Sequence, residues 1–159
     1  CPQRDGLKVR IVGDGPMRGE LMSLCRSLGI EERFEFMGEL NQAAIRRVFS
    51  DSDVFVLASR SEGRPNALIE AVAAGLPAIS SGLDGILGLV GHDANGWVFP
   101  VEDIGALKIC IESAALCREK LRDMGRIGQR QLASGSEWAQ SAKSYMRVFE
   151  GALAERSPS

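Results

Sequence analysis

Histidine is almost missing from this chain, and its cysteines are scattered. His92 is the one histidine, and Cys1, Cys25, Cys110 and Cys117 show no Cys-x-x-Cys spacing. Structural zinc needs clustered Cys and His, and a nucleophilic triad needs a His beside its Ser or Cys. Neither chemistry is therefore expected within these 159 residues. Dispersed free cysteines suit small packing positions in a reducing, cytoplasmic setting. No apolar run reaches the ~20 residues that cross a bilayer, and neither a signal-peptide pattern nor a basic amphipathic anchor is visible. With 19 basic and 21 acidic residues the net charge is −2, which gives no basic surplus for nucleic acid. Repeats, low-complexity tracts and linkers are lacking too.

What remains is an ordinary globular composition, 45% hydrophobic and 25% charged, with enough chain for one cored domain. The first residue is Cys1 and a strand follows almost at once, as expected for part of a longer protein. LKVRIVG (7–13) turns from alternating to apolar and stops at Gly-Asp-Gly-Pro, a strand meeting a turn. Over 17–28, Met17, Leu21, Leu24, Cys25 and Leu28 recur at helical spacing, and Gly29 ends the helix. FEFMG (34–38) is a second strand, and Asn41 suits the N-cap of QAAIRRVF. VFVLAS (54–59) is apolar enough to predict a strand buried on both faces. Pro65 fits the first turn of a helix to about Ala74, closed by Gly75 and Pro77. Strands follow at 77–81 and 96–99, with Trp97 in the core, and Asp103 caps IGALKICIESAAL. Helices over 119–133 and 136–153 close the chain, the latter carrying Trp138, Tyr145 and Phe149 on one face. This alternation predicts an α/β domain: a Rossmann-like parallel sheet with helices on both faces.

Two stretches carry chemistry. GDGPMRG (13–19) joins a strand to a helix, the setting of a phosphate-binding turn, but Arg18 replaces the third glycine of G-x-G-x-x-G and no Walker lysine follows. A nicotinamide site is disfavoured, and a plain tight turn remains open. SEGRPNALIEAVAAGLPAIS (61–80) lies where ligands bind in α/β folds, beyond the carboxyl end of a strand. With Pro65 at the helix start, the N–H groups of Asn66, Ala67 and Leu68 have no intrahelical partner and carry the positive end of the helix dipole. That end can seat a phosphate or diphosphate. Glu62 and Glu70 stand on either side of the turn, and carboxylates accept well from vicinal hydroxyls, so a nucleotide sugar would suit the pair. Glu62 as a helix cap and Glu70 as a solvated surface residue are the plainer alternatives.

Glu62-x7-Glu70 in this setting closely resembles the E-x7-E signature of the retaining GT-B glycosyltransferases of family 4. LKVRIVGDGP, FEFMGEL, DVFVLASRSEG, NGWVFP and SEWAQSAKSYMRVFEGAL resemble successive segments of that family's C-terminal domain, in the family's order. The resemblance covers nearly the whole chain and implies the C-terminal half of a GT-B fold, lacking its first strand and helix. It implies a donor-binding domain over 1–135 and a C-terminal helix over 136–159 that crosses to an N-terminal domain absent here. SGLDGILGLV (81–90) departs from the family's Gly-Gly-x-x-Glu-like loop, with Asp84 and Gly88 in the expected Gly and Glu places.

The resemblance also implies roles. Glu62 contacts donor sugar hydroxyls near the anomeric carbon and is the catalytic-site carboxylate; Glu70 binds the ribose. The backbone of Gly63, Arg64, Pro65, Asn66 and Ala67 holds the distal phosphate. Gly13 and Gly15 border the pocket, and Met37 and Gly38 line the base. No metal or other cofactor is implied, since the helix N-terminus and basic side chains neutralise the diphosphate. The implied activity is transfer of a hexosyl or N-acetylhexosaminyl group from a UDP- or GDP-sugar to a glycan or lipid-linked acceptor. It would occur in the cytoplasm or peripherally at the membrane's cytoplasmic face, with this portion inactive alone. A GT-B-like sugar-nucleotide epimerase and a non-catalytic interaction module are the competing classes; one loop histidine, His92, is poor material for the first.

Overall fold

The computed structural model describes residues 6–63, 65–83 and 88–134 of the chain. In order these form β1 (Val9–Val12), α1 (Arg18–Ser27), a 3₁₀ turn (Glu31–Arg33), β2 (Phe34–Gly38), α2 (Gln42–Ser50) and β3 (Phe55–Leu57). Then come α3 (Asn66–Ala73), β4 (Ala78–Ser81), β5 (Gly96–Phe99), α4 (Ile104–Leu116) and α5 (Arg118–Ala133). The expected helix over 136–153 and its aromatic stripe lie outside the described residues, as do Arg64 and Asp84.

All strand pairing is parallel, as the alternating pattern requires, but the one expected sheet is two ladders among the described residues, β1-β2 and β3-β4-β5. Periodicity reveals strands without revealing which of them hydrogen-bond. The chain divides into two compact units, Cys1–Val48 and Phe49–Ser159.

In the first unit, Val9 pairs with Phe34 and Ile11 with Phe36, after which the register slips so that Val12 pairs with Gly38. Met37 is thus an extra residue on β2. Within α1 only Cys25 is buried, while Met17, Leu21, Leu24 and Leu28 are exposed. The helical spacing read from the sequence is correct, but Arg18, Met22 and Cys25 form the more sheltered side. Asn41 caps α2 as expected, its Oδ1 accepting from the Ala44 N–H at 2.9 Å.

The second unit is built on β4, all four of whose residues are buried. Ile79 packs with Trp97, Phe99, Cys110, Ala114, Leu121 and Met124, joining the sheet to α4 and α5. Its neighbour Ala78 packs on the opposite face with Leu68 and Val72 of α3. Helices therefore cover both faces, and Trp97 is core, 3% exposed. Asp103 caps α4 through the Ala106 N–H at 2.8 Å. The two-sided burial expected of β3 is not observed: Val56 is 45% exposed. It lies on the Ile79 face, where α4 packs over β4 and β5. An edge strand outside that cover keeps its outward side chain in water.

Eight residues are too few to make a stable helix in isolation. α3 is held by burial of Leu68, Ala71 and Val72 and by α5, which comes close because two of its contact residues are glycines. A Cβ on Gly125 would collide with the Gly75 carbonyl, and one on Gly128 would sit 3.1 Å from Val72 Cγ1. Gln129 Nε2 adds a 2.8 Å hydrogen bond to the Ala73 carbonyl at the helix's end. Gly75 turns the chain out of α3 at φ +87°, a conformation costly for other residues. Gly125→Ala is therefore expected to destabilise the protein by about 1–3 kcal/mol through overpacking. Gly19→Ala, in open space on α1, should stabilise it by roughly 0.5–1 kcal/mol. Denaturant titration followed by circular dichroism checks both signs.

Candidate functional site

The sequence-predicted residues divide between the two units. In the first, Gly13 and Gly38 meet directly: the Gly13 N–H donates to the Gly38 carbonyl at 2.7 Å. Both have positive φ, +109° and +65°, so the crossing of the glycine turn with the end of β2 depends on residues without a Cβ. Gly15 is fixed beside them by its N–H to Asp14 Oδ1, 2.7 Å. Met37 is the bulged residue of β2, and a bulge bends a strand and re-aims a side chain at its edge.

Arg18, read from the sequence as a departure from a dinucleotide fingerprint, has a structural task. Its Nη1 lies 3.3 Å from Asp14 Oδ2, and its Nη2 donates to the Phe36 carbonyl at 3.3 Å, beside the bulge. A Cβ on Gly38 would stand 3.4 Å from Nη1. The guanidinium thus links the turn after β1 to the end of β2, which glycine could not do.

In the second unit, the turn after β3 and the start of α3 bring Glu62, Gly63, Pro65, Asn66 and Ala67 together. Pro65 is the N-cap residue rather than a residue of the first turn, with φ −80° and ψ 65°, and no side chain caps the helix. The first intrahelical bond runs from Ile69 N–H to the Pro65 carbonyl at 3.0 Å. The N–H groups of Asn66, Ala67 and Leu68 therefore precede the ladder, and Asn66 and Ala67 are exposed to whatever approaches. Pro65 and Leu68 are buried, so the helix end is fixed to the core beside the exposed Asn66 and Ala67. Glu70 is on α3 and exposed; Glu62 is partly buried.

Glu62 does not cap α3. Its Oε1 accepts from Ser59 Oγ at 2.7 Å, and the Ser59 carbonyl in turn accepts from Ser81 Oγ at 2.7 Å. Neither serine was singled out from the sequence.

Beyond the carboxyl ends of β3, β4 and β5 opens a cleft of about 200 Å³, bordered by Ser59, Ser81, Phe99 and Leu107. Arg60 spans it to Glu102 at 2.8 Å. Both side chains are largely exposed, and such pairs contribute little stability. None of Glu62, Asn66, Ala67 or Glu70 lines this cleft. His92 is a loop residue, its Nδ1 accepting from the Val98 N–H at 3.3 Å. Burial pushes the Cys110 thiol above its usual range, and the charge of Asp93 adds to this, so Cys110 is a poor nucleophile. Among the described residues no group of three His, Cys, Asp or Glu could hold a metal, and no helix is long and apolar enough to cross a membrane.

Known proteins are similar to this chain in sequence and in fold. An uncharacterized glycosyltransferase of Methanocaldococcus jannaschii is 34% identical over 99 residues, 62% of this chain and 25% of that protein. The amylovoran biosynthesis glycosyltransferase AmsK of Erwinia amylovora is 35% identical over 103 residues, 61% of this chain and 25% of its own. The chain thus spans about a quarter of the length of these relatives. The fold matches that of Anabaena HepE in complex with UDP and glucose, with a TM-score of 0.76 at 19% identity over 91% of this chain and 40% of that one. The sequence model of the family described as Glycosyl transferases group 1 matches residues 1–131, and the chain belongs to that family.

Proposed function

We propose that this chain is the donor-binding part of a retaining, family-4-like glycosyltransferase that takes a sugar from a UDP- or GDP-sugar and passes it to a glycan or lipid-linked acceptor. The observation that carries the proposal is the uncapped N-terminus of α3, with Glu62 before it and Glu70 within it. Family membership supports the activity class.

In this reading the N–H groups of Asn66, Ala67 and Leu68, with the Gly63 backbone, take the distal phosphate, and the helix dipole favours its charge. Arg64 lies beside them in sequence. Glu70 accepts from the ribose hydroxyls, and Glu62 from hydroxyls of the sugar near its anomeric carbon. The acceptor oxygen forms its bond to the anomeric carbon on the face from which the diphosphate leaves. This same-face substitution retains configuration, and the departing phosphate oxygen takes the acceptor's proton. The charge on the leaving group is met by backbone donors and basic side chains, so the proposal includes no metal. We place the reaction in the cytoplasm or at the membrane's cytoplasmic face. An N-terminal GT-B domain would supply the acceptor site, and donor residues beyond this chain would complete the diphosphate grip.

Calorimetric titration with UDP, GDP and ADP tests the donor site. One nucleoside diphosphate should bind, and Glu70→Ala should weaken it by roughly tenfold or more, the scale of a lost hydrogen bond to a charged group. Equal affinity in the variant would remove Glu70 from the site. EDTA should leave the binding isotherm unchanged, and a requirement for added Mg²⁺ would overturn the metal-free reading. Glu62→Gln should erase any gain in affinity of the sugar nucleotide over the bare diphosphate, measured in the same titration.

A further inference from the structure

We infer that Ser59 is a positioning residue for the donor sugar: its hydroxyl fixes the Glu62 carboxylate in the orientation that meets the sugar, and Ser81 fixes Ser59. This deepens the donor-site reading above and rests on it.

The inference follows from a relay of short hydrogen bonds that runs from the core to the loop. Ser81 ends β4 and is 1% exposed. The next N–H, that of Gly82, donates to the Phe99 carbonyl at 2.8 Å, which ties the strand end to β5. From this frame Ser81 Oγ donates to the Ser59 carbonyl, spanning twenty-two positions in sequence at 2.7 Å. Ser59 Oγ then donates to Glu62 Oε1, also at 2.7 Å. A hydroxyl-to-carboxylate bond of this length falls at the edge of the charge-assisted class, and partial burial keeps water from competing for it.

The consequence for the carboxylate is specific. A glutamate on a turn has three side-chain torsions to order before it can grip a ligand, and ordering such a side chain on binding lowers affinity by a few-fold to about tenfold. The Ser59 bond orders it beforehand. It occupies one lone pair of Oε1 and leaves Oε2 for hydroxyls of the ligand. Ser81 carries a buried hydroxyl at the end of β4, and that hydroxyl has no role in the ladder itself. Its partner, Ser59, is the residue whose hydroxyl also holds Glu62.

The test separates positioning from general support. Affinities for UDP and for a UDP-sugar are measured by calorimetry on the wild type, Ser59→Ala, Ser59→Thr, Glu62→Gln and the Ser59→Ala/Glu62→Gln double variant, with circular dichroism as a fold check. Ser59→Ala is expected to lose roughly 3–10-fold in UDP-sugar affinity while its UDP affinity stays within about twofold. Ser59→Thr, which keeps the hydroxyl, should restore the loss. On the Glu62→Gln background, Ser59→Ala should have no further effect, since the serine acts through that carboxylate. Unchanged UDP-sugar affinity in Ser59→Ala, or losses that simply add in the double variant, would overturn the inference. So would equal weakening of both ligands or loss of the fold, either of which marks Ser59 as structural. If the wild type binds neither ligand, the donor-site reading itself fails, and this inference with it.

Discussion

The arrangement depends on the burial of β4. It is the middle strand of its ladder, with every side chain covered. Neighbouring positions send Ala78 toward α3 and Ile79 toward α4 and α5. Because the pairing is parallel, the carboxyl ends of β3, β4 and β5 point the same way, and the turns that follow them open on one edge. The chain that leaves β3 at that edge is the Ser59–Asn66 segment, and β4 ends beside it in Ser81. A fixed central strand therefore sets where Glu62 and the start of α3 can be.

The start of α3 is a polar surface on an apolar anchor. Leu68 and Val72 are almost fully excluded from solvent within the first two turns, whereas the donors ahead of the hydrogen-bond ladder have no side-chain cap. Capping side chains usually satisfy such donors and stabilise a helix by about 1 kcal/mol. Here proline takes the cap position and provides no acceptor side chain. Burial of the helix body offsets the missing cap, and glycines on α5 permit the approach that makes the burial possible.

Much of this was legible because it is local. Asn41 and Asp103 cap the helices their positions suggest, through bonds three residues long. Gly29 and Gly75 end helices at positive φ, and FEFMG is a strand at its expected bounds. The departures are non-local. A solid apolar run such as VFVLAS does not tell whether a helix will cover its second face, and Val56 is left exposed. The bulge that makes Met37 the extra residue depends on register against β1, which a single strand does not encode. Arg18 reads as a broken motif until the Phe36 carbonyl is seen beside it. The link from Ser81 to Ser59 joins residues 22 positions apart with no periodic signal. Glu62-x7-Glu70 was visible as a spacing, whereas the Ser59 hydroxyl bonded to Glu62 was not singled out.

The central claim is that the bare start of α3 seats the donor's diphosphate. Amide NMR of the ¹⁵N-labelled chain during titration with UDP tests it most directly, because a backbone N–H that donates a hydrogen bond to a phosphate oxygen shifts strongly. The account predicts that the Asn66, Ala67 and Leu68 amides move most, saturating with the same dissociation constant as the Glu70 amide. Saturable binding that leaves those three amides in place and moves residues elsewhere would contradict it.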